Sequence, residues 1–234
     1  MARDVIDRQR ELRLLNMEAA GRAKSFDDGN SLPDVTGGGQ VDRPDFALVF
    51  INPTIRNAST HSAWRGIRHP WIGTRPVWKV LKNGGVLKDS VFDEVAMRRV
   101  WDEEFAARIY TGVAMDRAYI TNLVKWTGPN GDLPTVQMVR AFAALTRREL
   151  EIVQPRVVIA FGSMPFRALG GQSVRLGGIL DIARTGSRIP NAFVFDTEIP
   201  MFPCYFPVGR GNPGGAETVL RAVVQQCKRD GWIA

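Results

Sequence analysis

Apolar residues recur along the chain with two different periods. Between residues 3 and 24, Leu12, Leu15 and Ala19 fall at helical spacing with Arg and Glu between them, which predicts an amphipathic helix. A turn-rich stretch from Ser25 to Asp45 follows, with Pro33 and the run Gly37, Gly38, Gly39, and reads as a linker. Phe46-Ala-Leu-Val-Phe-Ile51 and Arg156-Val-Val-Ile-Ala-Phe161 are continuous apolar runs of strand length, the pattern of strands covered on both faces. Residues 118–121 and 200–206 read as two more strands, and 179–184 and 192–197 as strand pieces. Helices are predicted over 76–84 (ended by Gly84-Gly85), 91–108, 135–153 (stopped before Pro155), 162–169 and 213–229. Residues 52–75 form a long loop whose aromatic content argues for function rather than disorder.

Strands alternating with helices imply a parallel sheet with helices on both faces, hence an α/β fold. The break near residue 45 divides the chain into an N-terminal helix and linker, 1–44, and one domain, 45–234. In sheets of this kind ligands bind past the carboxyl ends of the strands, which singles out the segments after residues 51, 121, 161 and 206.

Composition adds little to the fold and something to the function. The 234 residues are 44% hydrophobic, enough for one sizeable core. Lys and Arg number 31 against 24 Asp and Glu, a net charge of +7 that favours a polyanionic partner, though many basic proteins bind none. Cys204 and Cys227 form no CxxC pair, so a thiolate-held zinc or iron–sulfur cluster lacks its ligands, and free thiols in a reducing cytosol are expected. No apolar run reaches the ~18 residues of a membrane helix, and the N-terminus lacks the apolar stretch of a signal peptide. A cytoplasmic monomer is expected.

Asn52, in Phe50-Ile-Asn-Pro-Thr54, follows a strand and precedes a proline. Its amide can hold a water but cannot take a proton as a carboxylate does; the plain alternative is an Asn-Pro turn. Trp71, in Arg68-His-Pro-Trp-Ile-Gly-Thr74, is either a stacking platform for a base or a plug over the core. His69 beside it is either a polar loop residue or a donor to a leaving group. Asn122, in Tyr119-Ile-Thr-Asn-Leu-Val-Lys125, offers donor and acceptor side by side, the complement of the O4 and N3–H edge of uracil and the wrong pattern for cytosine. It could equally cap the next element, and Lys125 reads as a phosphate or solvent contact. Phe206-Pro-Val-Gly-Arg-Gly-Asn-Pro213 is an exposed-looking loop ahead of a helix, where backbone N–H groups can bind phosphate and Arg210 can enter a duplex. The turn at Gly162-Ser163 opens a helix and can meet an anion.

Taken together, in this order and spacing, the segments resemble the uracil-DNA glycosylase superfamily from about residue 45 to the C-terminus. Asn52-Pro53 looks like the first active-site motif of the branches that place Asn in the water-positioning slot. Pro70-Trp-Ile-Gly73 looks like the stacking loop of the iron–sulfur (family 4) type, with Trp71 in the place of Phe. Tyr119 to Lys125 is very similar to that type's uracil-reading strand, and Tyr205 to Asn212 looks like the second motif with its DNA-wedge loop. The cluster cysteines have no counterparts, and Phe206 stands where the second motif usually has a His.

The resemblance implies a three-layer α/β/α sandwich around a central, mainly parallel four-stranded sheet. It implies a monofunctional hydrolase without metal or cofactor that flips uracil out of single- or double-stranded DNA. Asn52 is then catalytic, with His69 a candidate donor; Ile51, Trp71, Asn122 and Phe206 line the uracil site; Ser163, Pro207, Gly209, Arg210, Gly211, Asn212 and Lys125 contact DNA. The alternative is a glycosylase-like DNA-binding module that senses flipped bases without cutting. A lyase using Lys125 as a Schiff-base amine, and a nucleotide-hydrolysing α/β enzyme, are poorly supported. Thr54 lies where some relatives place a Tyr that excludes a 5-methyl group, which leaves thymine, hypoxanthine and xanthine open as substrates.

Overall fold

A computed structural model describes residues 5–26, 32–88, 90–209 and 211–233. Its frame is set by four parallel strands, β2 (Phe46–Phe50), β3 (Ala118–Asn122), β4 (Val157–Phe161) and β6 (Pro200–Cys204). All five residues of each are buried, as their unbroken apolar sequences require of strands covered on both sides. Two-residue antiparallel strands close the edges: β1 (Gly38–Gly39) on β3 and β5 (Ala192–Phe193) on β6, giving the order β1-β3-β2-β4-β6-β5. The short edges leave little ladder open to another chain.

Alternation along the strands sorts the core into two layers. Phe46, Leu48, Phe50, Ile120, Ile159, Phe161 and Phe202 face one way, against α2 (Pro76–Asn83), α3 (Val91–Met97), α4 (Glu103–Met115), α7 (Leu176–Thr185) and α8 (Pro213–Arg229). Ala47, Val49, Tyr119, Val158, Ala160 and Met201 face the other, against α1 (Val5–Lys24), α5 (Val136–Val153) and α6 (Ser163–Ala168). This is the expected α/β/α sandwich, its four-stranded parallel centre extended by the two edge strands.

Three expectations need correction. The helix read over 91–108 is two, because Asp102 caps α4 by accepting from the Phe105 N–H (2.8 Å) and Glu103 and Glu104 fill the first turn at its positive end. The strand piece read at 179–184 lies in α7, where buried Ile179 and Leu180 and half-buried Ile182 and Ala183 follow the helical period; Gly177-Gly178 disguised it. The strand piece over 192–197 is only Ala192–Phe193.

The N-terminal helix packs on α5 through Leu12, Leu15, Ala19 and Ala23. Arg8 is 1% exposed; it donates to the Ile152 carbonyl and to Gln154 Oε1 (2.7 Å) and pairs with Asp42 (3.3 Å). The connection from β2 winds toward β3 and that from β4 toward β6, so the sheet's switch point lies past Phe50 and Phe161.

Trp78 is the largest side chain buried below 2%, packed among Phe92, Trp101 and Tyr110, and its indole N–H donates to the Trp71 carbonyl (3.2 Å). Trp78→Ala is expected to cost ~3–5 kcal/mol. The check is urea unfolding: the midpoint should fall with the slope unchanged, and a midpoint equal to wild type would contradict the packing.

Candidate functional site

The pairing of β2 with β3 does not stop at the strand ends. Phe50 stands opposite Asn122, and the Leu123 and Val124 N–H groups donate to Phe50 O (2.7 Å) and Ile51 O (2.9 Å). Two asparagines, Asn52 and Asn122, are thereby held on neighbouring segments at the sheet's carboxyl end. Asn52 is 7% exposed, and its amide N–H groups donate to Pro53 O and Asp132 O (both 3.0 Å). The loop after β3 closes on it: Gly128 N–H donates to Pro53 O (3.1 Å), and a Cβ on Gly128 would lie 2.6 Å from Asp132 O. With both N–H groups used, Oδ1 is left as an acceptor with no partner among the described residues. Gly128 and Asp132 were not singled out in the sequence; only the Gly-Pro-Asn-Gly-Asp composition of 128–132 marks them as a turn.

Asn57 ties the loop after β2 to the tryptophan loop. It accepts from Ser59 N–H (3.0 Å) and Oγ (2.8 Å) and donates to His69 O (2.8 Å). Trp71 itself has φ +67°, a conformation unusual for a non-glycine residue. It is held there by bonds to its neighbours: Tyr110 OH donates to Pro70 O (2.6 Å), and Thr74 Oγ1 (2.7 Å) and Trp78 Nε1 to Trp71 O. The half-buried indole meets Phe50 edge-on (4.9 Å between centroids, 75°) and Phe206 at 5.8 Å. Phe50 in turn stacks on Phe161 (4.3 Å, 9°), and half-buried Ile51 lies near Gly162. The result is an aromatic box over the switch point.

Asn122 lies on this same face of the sheet, in register with Phe50. It is 2% exposed, and its Nδ2 has neither a hydrogen-bond partner nor contact with solvent. An unsatisfied buried donor costs ~1–3 kcal/mol, and this one leaves the strand end with a free hydrogen-bond donor, as Trp71 Nε1 does nearby.

Lys125 departs from expectation. Instead of reaching DNA it is 2% exposed and turns under β3, donating to Thr121 Oγ1 (2.7 Å), Glu149 Oε2 (2.6 Å) and the Asn122 carbonyl. Burial lowers its pKa, opposed by the Glu149 carboxylate. It therefore offers no phosphate contact, and no free amine for Schiff-base chemistry.

The loop after β6 is folded on itself. Gly211 and Asn212 N–H donate to Val208 O and Phe206 O (both 3.0 Å), and Asn212 caps α8 by accepting from Gly215 N–H (2.9 Å). Asn212 is thus engaged structurally. Gly209 has φ +61°, and a Cβ on Gly211 would fall 1.8 Å from Phe206 O, so both glycines are required. Pro207 is buried and Gly209 exposed, while Val208 and Gly209 N–H bond to no acceptor among the described residues. Arg210 lies outside the described residues. Ser163 is exposed at the start of α6, beyond β4.

His69 stands over Gly38 and packs on Tyr110 (4.6 Å). Because Gly37 faces Tyr119 and Glu149, its neighbour Gly38 faces the other way, and the ring shares the Asn122 side of the sheet. Burial pushes its pKa down to about 4, against the opposing pull of the Thr36 carbonyl, so it is neutral at pH 7. With Nδ1 carrying the proton to Thr36 O (3.1 Å), Nε2 is an acceptor only. The expected role as donor to a leaving group is not supported.

Among the described residues, no three or more His, Cys, Asp or Glu side chains are grouped to hold a metal ion. In comparison with known families, the model of the uracil DNA glycosylase superfamily matches residues 40–219. No curated protein matches the chain.

The lowered pKa of His69 makes stability pH-dependent. The unfolded chain binds a proton at this residue near pH 6.5 and the folded chain only near 4, so stability is lost as pH falls through that window. His69→Asn keeps a donor for Thr36 and removes the titration. Thermal midpoints compared between pH 7 and 4 should fall less steeply in this variant; parallel profiles would contradict the assignment.

Proposed function

Because the chain belongs to the uracil DNA glycosylase superfamily, we propose that it hydrolyses the N-glycosidic bond of uracil in DNA. Membership carries glycosylase-like activity and DNA binding; the choice of uracil and the roles of single residues are this reading's own. The observation that carries it is the unpartnered, buried Asn122 Nδ2 on the face shared with Phe50, Trp71 and Phe206. A donor with a neighbouring acceptor suits uracil O4 and N3–H, and cytosine would present a donor to a donor. The flipped base stacks against Trp71, between the box and the Asn122 amide.

Cleavage sends the C1′–N1 electron pair to uracil, leaving an oxocarbenium-like sugar and a uracil anion. Asn52 Oδ1 accepts a hydrogen bond from the water that attacks C1′; its free acceptor supports this, both N–H groups being engaged. The amide takes no proton, so the proton released by the attacking water passes to solvent or to the departing base. Stabilisation of the two ions supplies most of the acceleration. With Phe206 apolar and His69 an acceptor, the donors for uracil O2 are backbone N–H groups, for which Val208 and Gly209 are available.

The test is base release from uracil-containing single- and double-stranded oligonucleotides. Wild type should release uracil. Asn52→Ala and Asn122→Ala should each slow it ~10²–10³-fold, the cost of one preorganised polar group. Asn122→Asp should lose uracil, because a carboxylate repels O4. Salt-dependent DNA binding with no base released from either substrate would overturn the enzyme and select a base-sensing module.

A further inference from the structure

On the face of β3 opposite the aromatic box lies a charged cluster that the reaction above does not use. Glu149, from α5, is fully buried. Its Oε1 accepts from Tyr119 OH (2.8 Å) and Thr121 Oγ1 (2.9 Å), and its Oε2 from Lys125 (2.6 Å). Gly37 seals it: a Cβ there would sit 2.2 Å from Tyr119 OH and 2.5 Å from Glu149 Oε1. A buried ion pair gives little net stability, and apolar replacement of both partners is often neutral or better. The pair's charge therefore calls for another explanation.

Lys125 supplies it. Its three N–H donors go to Thr121 Oγ1, Glu149 Oε2 and the backbone carbonyl of Asn122. The Asn122 Nδ2 has no hydrogen-bond partner, and its amide makes no hydrogen bond to orient it among the described residues. Its direction is inherited from its backbone, which is held by the β2 register on one side and by the lysine on the other. We propose that Lys125 and Glu149 are positioning residues that fix the Asn122 backbone and so aim its free amide at the base edge. The inference rests on the uracil-excision reading for its kinetic consequence, and on geometry alone for its effect on Asn122.

The variant that tests it is Lys125→Met/Glu149→Leu, which removes both charges and leaves neither unpaired. It should melt below wild type, because the buried Tyr119 OH and Thr121 Oγ1 lose their acceptor, and bind abasic-site DNA as wild type does. Single-turnover uracil release should be ~10²-fold slower, the loss expected for a shift of about 1 Å in a reacting geometry. The Asn122 side-chain amide signals in a ¹⁵N–¹H spectrum, one sharp pair in wild type, should broaden or double. In an Asn122→Ala background the same two substitutions should slow release no further, because the pair acts through Asn122. Wild-type release with an unchanged amide pair would overturn the proposal, as would an equal further loss in the Asn122→Ala background. Should the double variant fail to fold, Glu149→Gln, which keeps the Oε1 acceptor for Tyr119 and Thr121, takes its place with the same expectations for release and for the amide signals; its melting temperature should fall, because Lys125 is left without a counter-charge. Should wild type release no uracil, the functional reading fails and the amide spectrum alone decides this one.

Discussion

Everything at the carboxyl end of the sheet hangs on one register, that of β2 beside β3. Phe50 opposite Asn122, continued by Leu123 N–H to Phe50 O and Val124 N–H to Ile51 O, sets the two asparagines of the site on adjacent segments. Since side chains alternate along a strand, a slip of one residue would send Asn122 to the α5 face and Thr121 into the aromatic box. What prevents the slip is chemically unlike on the two faces. Phe46, Leu48 and Phe50 require the core of one layer, and Thr121 requires Glu149 in the other. The register is therefore specified twice, once by apolar burial and once by a buried carboxylate.

The same division explains how an asparagine can be left unsatisfied. The free Asn122 Nδ2 raises the energy of the folded state, and such a group persists only where its surroundings over-determine the backbone. Here they do: two backbone bonds follow it, the lysine holds its carbonyl, and β1 pairs with the strand just before it, at Ile120 and Tyr119. The N-terminal segment is thus part of the site's support, although the family match begins only at residue 40.

The sequence was informative where local pattern decides structure. The four central strands, the terminal helices and the loop after β2 follow from apolar runs, turn residues and caps, and the glycosylase motifs from residue order. It misled where partners lie far apart in the chain. Lys125 looked exposed because it follows a strand in a motif rich in polar residues, while the group that buries it lies 24 positions on. A signal was present: Glu149 falls on the apolar stripe of α5 with Phe142, Leu145, Thr146 and Val153, where a carboxylate needs a cation. Arg8, on the buried stripe of α1 with Leu12 and Leu15, carries the same signature. The Asn52 clamp was invisible because a backbone carbonyl, Asp132 O, leaves no mark on residue identity.

Phe206 ties the site's chemistry to its packing. A histidine there would bring a donor to the developing anion; the phenyl ring instead lies within 6.3 Å of Phe50 and 5.8 Å of Trp71, and extends the apolar wall. An apolar wall excludes water, and in a drier cleft each remaining dipole acts more strongly on a forming ion. The loop that carries Phe206 offers donors instead: its glycines let the backbone turn back on itself, so that Val208 and Gly209 N–H groups meet no acceptor among the described residues while Gly211 and Asn212 close the turn. In the proposed reaction, stabilisation of the departing base thus moves from a side chain to the backbone, where it does not depend on a protonation state. His69, held neutral on the same side of the sheet as Asn122, fits the same scheme: in the proposed reaction it need not change charge at neutral pH.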